Sequence, residues 1–442
     1  MLTTVILGNI ISYLVEVWGQ LPDHRKPNNN RRYEIRDGVL SAFAVFFMQS
    51  PSFLAHQRTM QGVRGRSNAQ SLFQIEQIPS DTQIRNLLDP LRPSDFEPAF
   101  EWLFKQLAQS GGLDAFRDYH QTFLVALDGV VYFSSEKISC AHCSQRTDRA
   151  GQVHFYHSAL TPVIVKPQMS QVLPLAPEFM KPQDGHDKQD CEQQAVKRWL
   201  GKHGSRLPPF SHTYLADDLF SHQPICQQIV DQQQYFLFVC KPDSHANLYE
   251  WVTMLDKADS LASHVVRHWN GTHGEIWRYR FTHQIPIRAG AAALPVNWFE
   301  LTIAHEQTGA VLYHNAFITN HAISSSVVET LGRLGRTRWK VENEHHNVLK
   351  NRGYHFEHNF GHGHQQLASV LCTLNLLAFL IHTILHLVDQ LYRRLRDTLA
   401  VRQTFFNDLR ALTRYMLFDS WLALFTFMAD GLELPRPPPL PS

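Results

Sequence analysis

Disulfide-forming cysteine, net charge and a secretion signal are what this sequence has least of. Six cysteines in 442 residues are too few for a disulfide scaffold and fit a reducing cytoplasm. Lysine and arginine number 41 against 40 aspartate and glutamate, so the formal charge is only +1. The overall basic excess usual in nucleic-acid-binding proteins is therefore missing. Charged residues make up 18% and apolar ones 44%, which excludes a wholly disordered chain and provides for a sizeable core. The apolar start, MLTTVILGNIISYLVEVW, has no basic leader, contains Glu16 and lacks a small-residue cleavage site. It is expected to be a core or docking helix, not a signal peptide. A second apolar run, Leu367 to Val388, is long enough to span a bilayer, but it contains Asn375, His382 and His386. The cost of polar groups in lipid favours a buried helix, so no membrane partner is expected. No internal repeat and no His-Glu-x-x-His motif occur.

At roughly 150 residues per domain, the length allows about three domains. Residues 1–118 read as helices broken by turn clusters at 22–30, 50–52 and 78–81. In the last of these, Pro79-Ser80-Asp81 predicts a helix cap ahead of TQIRNLLDPL. Arg25, Lys26, Arg31, Arg32, Arg36, Arg58, Arg64 and Arg66 suit either a DNA-binding face or an ordinary solvated one. From residue 119 the pattern turns to short β-like runs: FLVALDG, VVYFSS and VHFYHSALTPVIV. A helix follows in DKQDCEQQAVKRWL, with Ala195, Val196, Trp199 and Leu200 on one face. Then come a strand in HTYLADD, a helix in SHQPICQQIVDQQ and a strand in YFLFVCKP. The order β-β-β-α-β-α-β is that of a ribonuclease-H-like α/β fold, a mixed sheet covered by helices. Further strands in EIWRYRFTHQIPIRAG, VNWFELTIAH and GAVLYHNAFITN predict a β-rich insertion at about 242–325, inside a domain spanning 119–390. Residues 391–442 are expected to be a helical C-terminal region ending in a disordered proline-rich tail, LPRPPPLPS.

Asp128 and Asp217 end the first and fourth predicted strands, where open α/β sheets place their chemistry. With Glu342 on a later helix they form a carboxylate trio, and hard oxygen donors of this kind suit Mg²⁺ and phosphoryl transfer. The motifs ALDGVVYFSS, YLADDLFSHQP, NAFITN and RWKVENEHHNVLKNRGYHFEHNFGHG resemble those of DDE transposases of bacterial insertion sequences. The resemblance covers about residues 75–390. It points to the cut-and-paste group with a β-rich insertion and a Tyr-Arg-Glu-Lys signature. It implies catalytic, Mg²⁺-binding roles for Asp128, Asp217 and Glu342, with Mn²⁺ as an alternative ion. It also implies a homodimer on double-stranded DNA that cuts terminal inverted repeats and joins them to a target. Arg338, four residues before Glu342, matches the signature arginine, and Arg336, Lys340 and Lys350 are further candidates for DNA phosphate. Two signature positions differ. Gly335 stands at the tyrosine position, and Leu349 at the lysine position with Lys350 one place on. Asp218 and Glu344 are the neighbours that compete with Asp217 and Glu342. A transposase-derived DNA-binding protein without catalysis is the alternative expectation.

Cys140-Ala-His-Cys143 has the spacing of a zinc knuckle, with His154, His157 and Cys191 as partners. The preferred set for a structural Zn²⁺ is Cys140, Cys143, His157 and Cys191. The densest histidine run, with His355, His358, His362 and His364, is expected to be a packing or phosphate-contacting loop because Gly361 and Gly363 interrupt it. A metal-dependent hydrolase built on that run is a third reading. Charge is unevenly spread: residues 22–66, 333–352 and 391–414 carry net +5, +4 and +4, which leaves −12 for the remainder. Near-neutrality is thus a cancellation that still permits a nucleic-acid enzyme.

Overall fold

The computed structural model describes residues 7–26, 32–60, 68–182 and 191–435. Arg31, Arg64, Arg66, the first part of the helix predicted before Cys191 and the tail beyond Pro435 lie outside the described residues. Among the described residues, six α-helices come first: α1 (Leu7–Trp18), α2 (Ile35–Phe47), α3 (Phe53–Met60), α4 (Asn68–Phe73), α5 (Asp81–Leu88) and α6 (Glu97–Gln109). The predicted cap forms, with Ser80 Oγ accepting from the Gln83 N–H at 3.3 Å to start α5.

The β region is β1 (Phe123–Ala126), β2 (Gly129–Ser135), β3 (Ser144–Thr147), β4 (Val153–Leu160), β5 (Val163–Val165), β6 (Leu173–Pro174) and β7 (Glu178–Met180). It continues with α7 (Glu192–His203), β8 (His212–Ala216), α8 (Gln223–Asp231), β9 (Tyr235–Val239) and α9 (Ala246–Lys257). Four long strands follow: β10 (Ala262–Trp269), β11 (Gly274–Pro286), β12 (Pro295–His305) and β13 (Val311–Thr319). A nine-stranded mixed sheet runs β10-β11-β12-β13-β9-β8-β1-β5-β6. Its centre, β1-β8-β9, is parallel, and all four β1 residues are buried, as expected of strands covered on both faces.

One expectation changes here, and the place of the β-rich insertion becomes defined. VVYFSS, read as the second strand of the main sheet, instead pairs with β4 in a separate four-stranded sheet; β5 and β6 take the places beside β1. The physical reason is a bend in one long hairpin. Ala126 faces Val163 and Gly129 faces Leu160 in a single register, so β1–β2 and β4–β5 are two continuous arms that leave the main sheet at Asp128 and Thr161. The β-rich insertion forms no sheet of its own. It extends the main one, because Phe317, Ile318 and Thr319 pair with Val239, Phe238 and Leu237.

The remaining helices are α10 (Val328–Arg336), α11 (Asn347–Asn351), α12 (Leu367–Val388), α13 (Gln390–Thr398), α14 (Arg402–Tyr415) and α15 (Trp421–Gly431). Its apolar stretch buried throughout, α12 packs against α2, α5, α6, α13 and β6. Two of its polar side chains each make one hydrogen-bond contact: Asn375 donates to the Tyr354 carbonyl at 2.8 Å, and His382 Nδ1 lies 2.7 Å from the Tyr354 hydroxyl. The N- and C-terminal helices are tied together directly, since the Asn68 amide donates to the carbonyls of Thr413 and Met416.

Candidate active site

Asp128 and Asp217 are brought side by side by strand register. Parallel pairing sets Ala126 beside Leu215, and the same offset carried two residues on aligns the two carboxylates. Asp128 Oδ1 accepts from the Gly129 N–H at 3.0 Å, and its carbonyl accepts from the Thr161 N–H at 3.0 Å. Asp217 starts a short helical turn in which its Oδ1 accepts from the Leu219 N–H at 3.0 Å. Asp218 turns to the other side, accepting from the Lys241 N–H and the Ser244 hydroxyl, both at 2.6 Å.

Glu342 comes from the segment after α10, where a tight turn, Thr337–Trp339, is followed by a π-helical turn, Val341–His346. Such turns are rare and frequently mark functional sites. Arg338 Nη1 donates to Glu342 Oε1 at 2.6 Å. One helical turn on, His346 reaches the same centre. Its Nε2 lies 2.7 Å from the Thr161 hydroxyl and its Nδ1 3.6 Å from Asp128 Oδ2. His345 is instead buried against Phe379. Glu344 lies on the Lys340 side, where its charge favours that ammonium.

The four basic candidates have different surroundings. Arg338 faces the carboxylates. Arg336 is held between the rings of Trp277 and Tyr313, at 4.9 and 5.0 Å. Lys350 pairs with Glu357 at 2.7 Å. Lys340 is turned inward, only 6% exposed, and donates to the Met169 carbonyl at 2.7 Å, a placement that favours a structural role over a phosphate contact. Positions 335 and 349 are both closely packed. A Cβ at Gly335 would come 2.7 Å from the Phe317 ring, and Leu349 is fully buried.

The centre holds more negative charge than it compensates. Burial raises the Asp128 carboxyl from its ordinary value to about 7; Glu192, Asp217 and Glu342 push the same way, and Arg338 opposes. Burial likewise raises Asp217 against the Leu219 hydrogen bond and Arg338, and it raises Glu192, helped by Asp217. Glu192, the first residue of α7, is a carboxylate that sequence reasoning missed. It lies so close to Gly129 that any side chain there would strike it. The glycine following Asp128 was the available signal.

Cys140, Cys143 and His157 come together as expected, but the fourth member of the group is His362. Cys191 is exposed at the start of α7 and takes no part, while His154 pairs with Asp148 at 3.2 Å. His362 comes from the glycine-flanked histidine run, and no local spacing links it to residues some two hundred positions earlier. A cleft of about 780 Å³ lies elsewhere, lined by residues that include His222, Gln227, Asn247 and Arg288 and none of the candidate carboxylates. In comparison with known proteins, no family model and no curated protein matches the chain.

Proposed function

We propose that this chain is a DDE-type DNA transposase with a ribonuclease-H-like core, cleaving the ends of an insertion sequence and joining them to target DNA. One observation carries the reading: Asp128 and Asp217 sit at the ends of adjacent parallel strands, inside an acidic centre completed by Glu342 and Arg338. The strand order β6-β5-β1-β8-β9, with three antiparallel-linked strands followed by two parallel ones, supports the fold assignment.

Mg²⁺ fits the donor set, because these are hard oxygens whose clustered charge Arg338, and at Asp217 also Lys241, offsets in part. Asp128, Asp217 and Glu342 would hold it, with Mn²⁺ taking the same donors. Held there, divalent ions would supply Lewis-acid activation of the attacking and leaving oxygens in phosphoryl transfer. The chain's own residues prepare this chemistry. The Gly129 N–H and the His346–Thr161 pair fix Asp128 at the hairpin bend. The Arg338 fork orients Glu342 and leaves further N–H groups for a DNA phosphate. Half-exposed Glu342 keeps the centre open on one side, as a polymeric substrate requires. Two such centres acting on two DNA ends call for a dimer assembled on DNA.

Incubation of the protein with Mg²⁺ and a supercoiled plasmid carrying the element's ends tests the proposal. Nicking and joining are expected. Asp128→Asn, Asp217→Asn and Glu342→Gln should each lower the rate by about 10³-fold or more while end binding persists. Retained end binding with no cleavage by the wild-type protein would replace this reading by the non-catalytic one.

A further inference from the structure

We propose that Cys140, Cys143, His157 and His362 form a closed tetrahedral Zn²⁺ site that staples the hairpin after Asp128 to the loop after the Glu342 segment. The ligand atoms all lie within 4.8 Å of one another. Zinc bonds of about 2.3 Å to sulfur and about 2.0–2.1 Å to nitrogen, arranged tetrahedrally, separate S–S pairs by about 3.8 Å, S–N pairs by about 3.5 Å and N–N pairs by about 3.3 Å. Five of the six separations follow that pattern, and the sixth, between Cys140 Sγ and His362 Nε2, falls within the 4.8 Å span of the group. The two Sγ atoms are 3.8 Å apart. His157 Nε2 is 3.6 Å from Cys140 Sγ and 3.4 Å from Cys143 Sγ, and His362 Nε2 is 3.4 Å from Cys143 Sγ. The two Nε2 atoms are 3.1 Å apart.

The surroundings are those of a ligand shell. His362 Nδ1–H donates to the Gly363 carbonyl at 3.0 Å, which leaves Nε2 unprotonated and facing the sulfurs. The backbone N–H groups of Cys140 and His142 point at Cys143 Sγ and Cys140 Sγ, both at 3.4 Å, and stabilise thiolate charge. The loop bringing His362 is held independently: Arg85 donates to the Phe360 carbonyl, and Asp89 accepts from the N–H groups of His364, Gln365 and Leu367. The position is therefore set before any ion binds. Soft sulfur and imidazole donors select zinc, whereas the oxygen-only centre at Asp128 selects Mg²⁺. Four protein ligands leave no place for a reacting water, so the role is structural and a hydrolase built on the histidine run is not supported. Joining residues 143 and 362 through one ion also closes a very long chain loop. None of this rests on the transposase reading.

The test uses full-length protein from zinc-supplemented culture. One Zn²⁺ per chain is expected after dialysis, and Co²⁺ exchanged into the wild-type protein should show thiolate-to-metal charge transfer and the visible bands of tetrahedral cobalt. Chelation should lower the melting temperature, with recovery on adding Zn²⁺ but not Mg²⁺. Cys143→Ser and His362→Asn should lose the ion; Cys191→Ser, His364→Asn and Asp128→Asn should keep it. Zinc-free wild-type protein without a cobalt–thiolate spectrum would overturn the proposal. So would loss of the ion in Cys191→Ser with retention in His362→Asn.

Discussion

Asp217 and Asp218 are chemically identical neighbours with opposite duties. One faces Asp128 across the strand ends, and the other anchors the loop at Lys241 and Ser244 through two short hydrogen bonds. Asp218→Asn should therefore lower stability by about 1–2 kcal/mol and leave the cleavage rate within about tenfold, unlike Asp217→Asn. A loss as severe as that of Asp217→Asn, in a variant that still folds, would reassign the ligand. Arg338 and Lys340 are similarly separable. Arg338→Ala should flatten the plot of log binding constant against log salt by about one unit, the signature of a lost phosphate contact. Lys340→Ala should leave that slope unchanged and lower the melting temperature, because the Met169 carbonyl loses its donor. An altered slope in Lys340→Ala would return that lysine to the DNA surface. The three carboxylates were legible in the sequence because each ends or punctuates a recognisable element. Glu192, Thr161 and His346 were not, since a helix start, a strand residue and a helical histidine carry no mark of what they will touch.

Elements are positioned by close approach. α10 meets β13 through Gly335 against Phe317, and meets β11 through Gly332 against Tyr279. A larger side chain at position 335 would meet the ring of Phe317, which already occupies the space. Gly335→Ala gains helix propensity of up to about 1 kcal/mol but must displace a packed ring, costing about 1–3 kcal/mol, so net destabilisation is expected. Gly8→Ala in α1, where nothing among the described residues lies within 4 Å of the new methyl, should be stabilising by the propensity alone. Denaturant midpoints of the two variants check the pair; a stabilised Gly335→Ala would show that α10 can move away from the sheet. The bend in the long hairpin has a comparable consequence. By leaving the main sheet at Asp128, the two arms project the Cys140–Cys143 turn toward the loop that carries His362. Alternating apolar residues revealed the strands of this hairpin but not their division between two sheets, because periodicity does not register a change of partner.

For the whole molecule, the distribution of charge needs revision. Within the segments of net positive charge, many cations are already engaged by the protein. Arg25 pairs with Asp23, and Arg36 with Glu34 and Glu76. Arg410 donates to the carbonyls of Met48 and Gln49, each at 2.7 Å. The basic segments are therefore partly scaffolding, and fewer of their cations remain for any anionic partner than the +13 of those segments suggests. Histidine abundance has a related explanation. Burial lowers His56 and His321 to about 3, and His203 and His212 to about 4. Each folded-state value lies below the ordinary one near 6.5, so the stability they contribute is fully present above that pH and is lost as pH falls toward 4 and below. Fully buried His56 and His321 should each remove about 1.4 kcal/mol per pH unit in that window. Urea midpoints at pH 7 and pH 5 check this. His321→Gln should reduce the slope by about one proton relative to the wild-type protein, a comparison that cancels the opposing contribution of Asp128 and Asp37, whose carboxyls are raised to about 7 and about 6; an unchanged slope would mean that this ring accepts its proton without cost.

Sequence by itself determined which residues end the central strands, that Leu367–Val388 belongs in a protein interior, and that Cys140 and Cys143 form a paired turn. These follow from alternation, composition and short spacing, which act over a few residues and survive whatever the rest of the chain does. Tertiary structure alone decided that His362 and not Cys191 faces those cysteines, that Glu192 joins the acidic centre, that Lys340 points inward, and that the β-rich insertion continues the main sheet. Each is a contact between segments far apart in the chain, and its geometry exists only once the shared core around α12 and the central strands has fixed where the intervening loops return.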